Sequence, residues 1–478
     1  MIKRSKKYKI FFNQSAINQI ETLENNIHKG NIDSKNDLFR NLTKIQLKSS
    51  SKNYTIEIPD ITRSFFDIGF NLKNLLFSNN EISLKLDMFT SKYSNGNIYG
   101  DVYRIRSTTF KSNLKKYYKL IIPLNEKKID FLYQLSRYGY AIENDNNISI
   151  NATSFNIGNE NFFIIIEKKD DKSYLIIHSD IRQIYNDFSK KCHSILICLG
   201  YITGHYISDK GYYFTYNTKK MDVFTSYLCR TLRDGMKNFW QPINSNAYSW
   251  VDSRNPKRAE KIYKKYNLRT LNKSEFSKLC SLCIENDDFL SVLFLILESN
   301  DASLVFRPGG YSIALETLSN IISSKSKIRQ KPITSKEDCK KFQNDLYAVL
   351  DKYKDFDSFK DIETLKGKIE YINQMTNQEK LTAPFKELGI NISKEDLEVV
   401  KSRNAFLHGR VPDFRNLGKN RTIEEKDADL YYASAKLYTL LNLLILKYIG
   451  YDSYVLNFSK LHEQKTKYPI KEDYYRIV

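Results

Sequence analysis

Hydrophobic and polar positions alternate over short stretches in the first half of the chain and recur at helical spacing in the second. Segments rich in Tyr, Phe and Ile at 6–12, 54–58, 82–89, 99–105, 117–122, 161–167, 174–177 and 211–216 are broken by Asn, Ser, Gly and Asp, which predicts strands. Two longer stretches, 180–199 between two of these strands and 223–239 after the last, read as helices. Beyond about residue 250 the period lengthens. Helices are predicted over 257–266, 274–297, 311–323, 335–353, 358–373, 393–408 and 422–449, with a turn at Pro308-Gly309-Gly310. Ser393 with Asp396 and Thr422 with Glu425 are capping signals, and Gly450 is a stop. The fold class is therefore α+β: a β-rich N-terminal domain over 1–252, then an all-α bundle over 253–478. Its expected core includes Leu315, Leu318, Ile321, Leu346, Leu350, Val400, Leu407, Leu440 and Leu444.

Composition narrows the class. With 478 residues, 41% hydrophobic and 27% charged, the chain has the make-up of an ordinary globular protein of two to four domains. The most apolar run, 431–451, carries Lys436 and Lys447 and reads as a core helix rather than a membrane span. Residues 1–13 are basic with only Ile10-Phe11-Phe12 as an apolar patch, so no secretory leader is expected. Six cysteines are dispersed, and the Cys280–Cys283 pair lacks a second pair or a nearby His, which predicts helix-face thiols rather than zinc ligands. A cytoplasmic setting, no cofactor and no metal are expected. The formal charge of +20 points to a polyanionic partner. Residues 251–275 hold eight Lys or Arg against three acids, and residues 401–421 hold six against Asp413 alone.

The second basic stretch contains the candidate chemistry. Val399, Val400, Phe406 and Leu407 follow the spacing of a core-facing helical stripe, and Arg403 lies midway along it. An arginine there needs a partner or a task, and Glu316 is a candidate ion-pair partner. Asn404 and His408 share a helix face, whereas Arg403 and His408 are separated by about 140° on an ideal helix. Either His408 lies where the helix ends, as Gly409 and Pro412 suggest, or a second copy of the helix completes the site. The plainer alternatives are a structural ion pair for Arg403 and a C-terminal cap for His408.

Arg403-Asn404-Ala405-Phe406-Leu407-His408-Gly409 resembles the R-X4-6-H signature of the HEPN superfamily, with a polar residue after the Arg and a Gly after the His. With the strand-rich first half and the Leu315-Glu316-Thr317-Leu318 segment, the layout is similar to bacterial anti-phage proteins of the ApeA type. The resemblance implies a HEPN-like bundle and a ribonuclease acting in defence by abortive infection. RNA, tRNA among the candidates, would be the substrate, a homodimer or higher oligomer the working form, and residues 1–252 a sensor of a phage-derived trigger or a restraint. RNA carries its own nucleophile, the 2′-OH. Cleavage to a 2′,3′-cyclic phosphate then needs only a proton acceptor, supplied by His408, and a cation at the phosphorane, supplied by Arg403. Asn404 would donate to a phosphate oxygen or fix His408; Arg410 and Lys401 would add positive charge. A non-catalytic HEPN module binding nucleotide, RNA or a protein partner is the alternative.

Overall fold

The computed structural model describes residues 9–11, 13–25, 27–33, 42–50, 53–59, 71–94, 97–124, 131, 134–136, 138–142, 148–207, 210–233, 236–237, 240–246, 256–266, 268–325, 332–356, 358–466 and 468–478. The chain forms two compact units, Met1–Asp301 and Ala302–Val478.

In the first unit the strands are β1 Lys9–Phe11, β2 His28–Asp33, β3 Leu42–Ser49, β4 Tyr54–Ile58, β5 Asn71–Ser78, β6 Ser83–Ser94, β7 Asn97–Ser107, β8 Tyr117–Pro123, β9 Tyr138–Ile142, β10 Ile148–Ile157, β11 Glu160–Lys169, β12 Lys172–Ser179, β13 His205–Tyr206, β14 Lys210–Tyr216, β15 Phe224–Thr231 and β16 Met236–Lys237. The helices are α1 Gln14–Asn25, α2 Tyr185–Thr203, α3 Pro256–Lys265, α4 Lys273–Glu285 and α5 Asp287–Asp301. Fourteen strands join one sheet among the described residues, and β7 is its junction. One edge of β7 pairs with β4 through Ile98–Val102 and with β15 through Arg104–Arg106, while the other pairs with β6 along its length. Because β4, β3, β2, β5 and β6 follow one another in hydrogen-bonded order, these strands and β7 close a ring. Alternation fills it: Tyr54, Ile56 and Ile58 point inward, and Ala16, Ile17, Ile20 and Leu23 of α1 join the same core. Gly30 lets β2 and β5 meet, since a Cβ there would lie 2.5 Å from the Ser78 carbonyl oxygen.

Of the segment 223–239, expected to be helical, Phe224–Thr231 is instead strand β15, paired on both edges, and Met236–Lys237 is β16, while 234–235 and 238–239 lie outside the described residues. Phe224, Tyr227 and Leu228 have helical spacing, but pairing on two sides outweighs that local pattern. The first unit also runs past the expected boundary at 252, to Asp301. The reason is packing: Phe276 of α4 lies edge-on to Phe155 of β10 at 4.8 Å, and the Cys283 sulfur of α4 sits 3.4 Å from that of Cys198 in α2. Cys280 and Cys283 are thus interior helix-face thiols.

The second unit contains α6 Arg307–Lys325, α7 Lys336–Asp351, α8 Ile362–Glu370, α9 Asn377–Glu387, α10 Lys394–Lys401, α11 Arg403–Leu407, α12 Ile423–Ile449, α13 Phe458–Leu461 and α14 Glu463–Thr466, with strands β17 Tyr454–Leu456 and β18 Tyr475–Ile477. The helix α12 is buried along most of its length and packs against α6, α10, α13 and α14. Thr422 caps its start through a capping box, and Gly450, at φ +91°, ends it. Leu315, Leu318, Ile321, Leu350, Val400, Leu440 and Leu444 are buried as expected; Leu346 is only half-buried, because α7 packs chiefly on α8. Pro308, Gly309 and Gly310 fall inside the first turn of α6 instead of forming a separate turn, since proline's fixed φ suits a helix start. Among the described residues no helix is long and apolar enough to cross a membrane.

Candidate functional site

The helix expected over 393–408 is two helices. The Ser393 hydroxyl accepts from Asp396 N–H at 3.1 Å and the Asp396 carboxylate from Ser393 N–H at 2.9 Å, which starts α10. At Ser402 the hydroxyl donates back to the Glu398 carbonyl at 2.9 Å, the kind of bond that bends helices, and α11 begins one residue later. This restart turns the stripe. Phe406 stays buried, 6.4 Å from the Phe414 ring, whereas Leu407, expected in the core, is 40% exposed.

The end of α11 is equally specific. Gly409 adopts φ +66°, its N–H donates to the Phe406 carbonyl at 3.1 Å, and Arg410 N–H donates to the Ala405 carbonyl at 2.8 Å. These are the paired bonds of a Schellman ending. His408 is therefore the C-cap, the first of the two placements its sequence allowed.

Arg403 opens α11 with its side chain 19% exposed. Its Nη2 pairs with Glu316 Oε2 on α6, and its Nη1 donates to Asn404 Oδ1 at 3.1 Å. Its Nε is buried and has no hydrogen-bond partner among the described residues. Arg403, Asn404 and Glu316 thus form one connected group, and Asn404 is exposed. The His408 imidazole is also exposed and makes no hydrogen bond, to Arg403 or otherwise, among the described residues. Lys401 and Arg410 are exposed.

The loop after His408 is held from several sides. Arg421 donates to the Val411 and Pro412 carbonyls at 2.8 Å each and to Asp429 Oδ2 at 2.6 Å. Arg415 donates to Asp429 Oδ1 at 3.1 Å and to the Glu425 carbonyl at 2.6 Å. Asp413 accepts from Leu417 and Gly418 N–H, and the Tyr468 hydroxyl donates to the Phe414 carbonyl. Asp429, fully buried near the start of α12, went unnoticed in the sequence; an acid at an inward position of an apolar helix was its only signal. The basic stretch therefore divides. Arg403, Arg415 and Arg421 are ion-paired within the fold, while Lys401, Arg410 and Lys419 are exposed and form no ion pair among the described residues.

The 251–275 stretch is similarly mixed. Arg269 makes a bidentate pair with Glu275 at 2.8 and 2.6 Å, Lys264 pairs with Glu260, and Arg254 lies outside the described residues.

No known protein family matches the chain, and neither a curated protein nor a solved structure does.

Proposed function

We propose that this chain is a HEPN-type RNA endonuclease that needs no metal, with Arg403, Asn404 and His408 as its catalytic residues. The observation that carries the reading is the state of Arg403: a largely buried guanidinium, clamped by Glu316 and Asn404, that still holds an N–H without a partner among the described residues. A buried donor left unpaired is unfavourable by roughly 1–3 kcal/mol, and in this reading Arg403 shifts on binding to bring that N–H to a phosphate oxygen. His408 takes the proton from the ribose 2′-OH as O2′ attacks phosphorus. The P–O5′ bond then breaks, the leaving oxygen gains a proton, and a 2′,3′-cyclic phosphate remains. Asn404 steadies a phosphate oxygen, Glu316 orients Arg403, and Lys401 and Arg410 draw the backbone in. Because His408 is not bonded to Arg403 within one chain, we place the complete site across a homodimer. In this reading the substrate is a cellular RNA, tRNA among the candidates, and cleavage aborts phage infection, with the strand-rich part as sensor or restraint.

The test is His408→Ala in the full chain. RNA binding should stay near the parental affinity while cleavage falls about 10²–10⁴-fold, since the imidazole is exposed and supports no packing. Cleavage at the parental rate would overturn the assignment. One observation favours a second reading: Glu316 already neutralises Arg403, as in a structural ion pair. A non-catalytic module binding RNA, nucleotide or a protein partner would then bind RNA and never cut it.

A further inference from the structure

A second site stands in the strand-rich unit, apart from the chemistry above. Opposite Thr215 of β14, the β15 register shifts: Thr215 faces Ser226 and Tyr216 faces Phe224, so Thr225 is the extra residue of a bulge. A bulge re-aims side chains, and here it brings two neighbouring residues of one strand onto the same partner. Thr215 Oγ1 lies 2.8 Å from Thr225 Oγ1 and 2.6 Å from Ser226 Oγ. These hydroxyls, with Thr109, line a cavity of about 310 Å³ that Lys111 and Lys116 also line.

The charge there is one-sided. Among the described residues no carboxylate lines the cavity and neither Lys111 nor Lys116 forms an ion pair; the Lys116 ammonium donates to the Asn217 amide oxygen. Arg182, over the Tyr117 ring at 5.3 Å, donates to the Asn217 carbonyl at 2.7 Å and so joins Lys116 as a second cation on that residue. Thr215 thus links the other two hydroxyls, and because hydroxyl hydrogens rotate, the group can redirect a donor outward when an acceptor arrives. Ammonium groups and hydroxyl donors lining one cavity suit a tetrahedral oxyanion, and the cavity has the volume of a small-ligand site.

We infer that this cavity binds a small phosphate-bearing ligand, with Lys111 and Lys116 holding the phosphate charge and the Thr215, Thr225 and Ser226 hydroxyls donating to its oxygens. The test is calorimetric titration of the full chain with inorganic phosphate, pyrophosphate and a nucleoside 5′-monophosphate, each against a matched chloride background. At least one should bind saturably, and binding should weaken about tenfold or more in Lys111→Glu/Lys116→Glu and in Thr225→Val/Ser226→Ala. Lys111 is exposed and the Lys116 bridge to Gln183 is made by its backbone, so a normal melting curve for the first variant separates lost binding from lost folding. Binding of the nucleotide alone would identify a nucleotide phosphate, and equal binding of free phosphate would identify the anion itself. The inference is overturned if none of the three binds the parental chain saturably, or if the lysine reversal leaves affinity and stoichiometry unchanged.

Discussion

Arg403 is where the competing demands of the site meet. Its Glu316 partner is 45% exposed, and pairs of that kind add about 1 kcal/mol or less to stability. Arg403→Ala should therefore shift the melting temperature little, while single-turnover RNA cleavage drops about 10²–10³-fold through loss of the cation at the phosphorane. Arg403→Lys should not restore the rate, because an ammonium has neither the Nε donor nor the planar fork that Glu316 and Asn404 grip. A lysine variant as fast as the parent, or an alanine variant that unfolds, would move Arg403 into a purely structural role. The residue pattern conveyed part of this. An arginine inside an apolar stripe announced its need for a partner, and Glu316 was a candidate for that reason. The capture of Arg415 and Arg421 by Asp429 depends on a loop crossing the start of α12, which no local pattern encodes.

Helix ends were legible where a side chain or a glycine sets them. The Ser393–Asp396 and Thr422–Glu425 boxes and the Gly450 stop appear at the expected residues, because each is a contact between residues three or four apart. The break at Ser402 and the strand β15 were not legible, since one rests on a hydroxyl competing with the backbone and the other on two neighbouring strands. The Schellman ending of α11 holds His408 in place and can be tested directly. Gly409→Ala should destabilise the second unit by about 1 kcal/mol in denaturant unfolding, and Gly409→Asn by less, because the position needs φ +66°. Equal stability of all three proteins would contradict that geometry.

The start of α10 is tied to α12 and the C-terminus by a buried ionic group. Asp396 lies 3.1 Å from Lys436 and 2.9 Å from Arg476, and Lys436 reaches Glu472 at 2.6 Å. Burial alone would raise the Asp396 carboxyl, but Arg476, Lys436 and the Ser393 N–H outweigh it and hold it below the usual carboxylate range. A depressed folded-state value means stability that is present above the unfolded value of about 3.9 and lost as pH falls through the folded one. Unfolding followed against pH should therefore show the second unit weakening below about pH 4. Asp396→Ala should cost about 3–5 kcal/mol at neutral pH, because it leaves the largely buried Lys436 and Arg476 with Glu472 as their one remaining acid among the described residues, and should flatten the acid limb.

Across the whole molecule, a charge of +20 would suit any polyanion, so the site rather than the total must decide the substrate. Lys401, Arg410 and Lys419 are the unpaired cations of the motif's stretch. Reversing all three to Glu should weaken single-stranded RNA binding and lower the magnitude of its salt slope by about two, whereas reversal of loop lysines in the strand-rich unit should leave that slope unchanged. The most direct test is of the nucleophile. An RNA oligonucleotide and its twin with a single 2′-deoxy residue at the cleaved position are incubated with the full chain in excess chelator, and the product ends are identified by mass spectrometry. Cleavage of the RNA to a 2′,3′-cyclic phosphate, with the deoxy twin intact, is the outcome expected if Arg403 and His408 act on the RNA's own hydroxyl. Cutting of the deoxy twin at the same position and rate would contradict it.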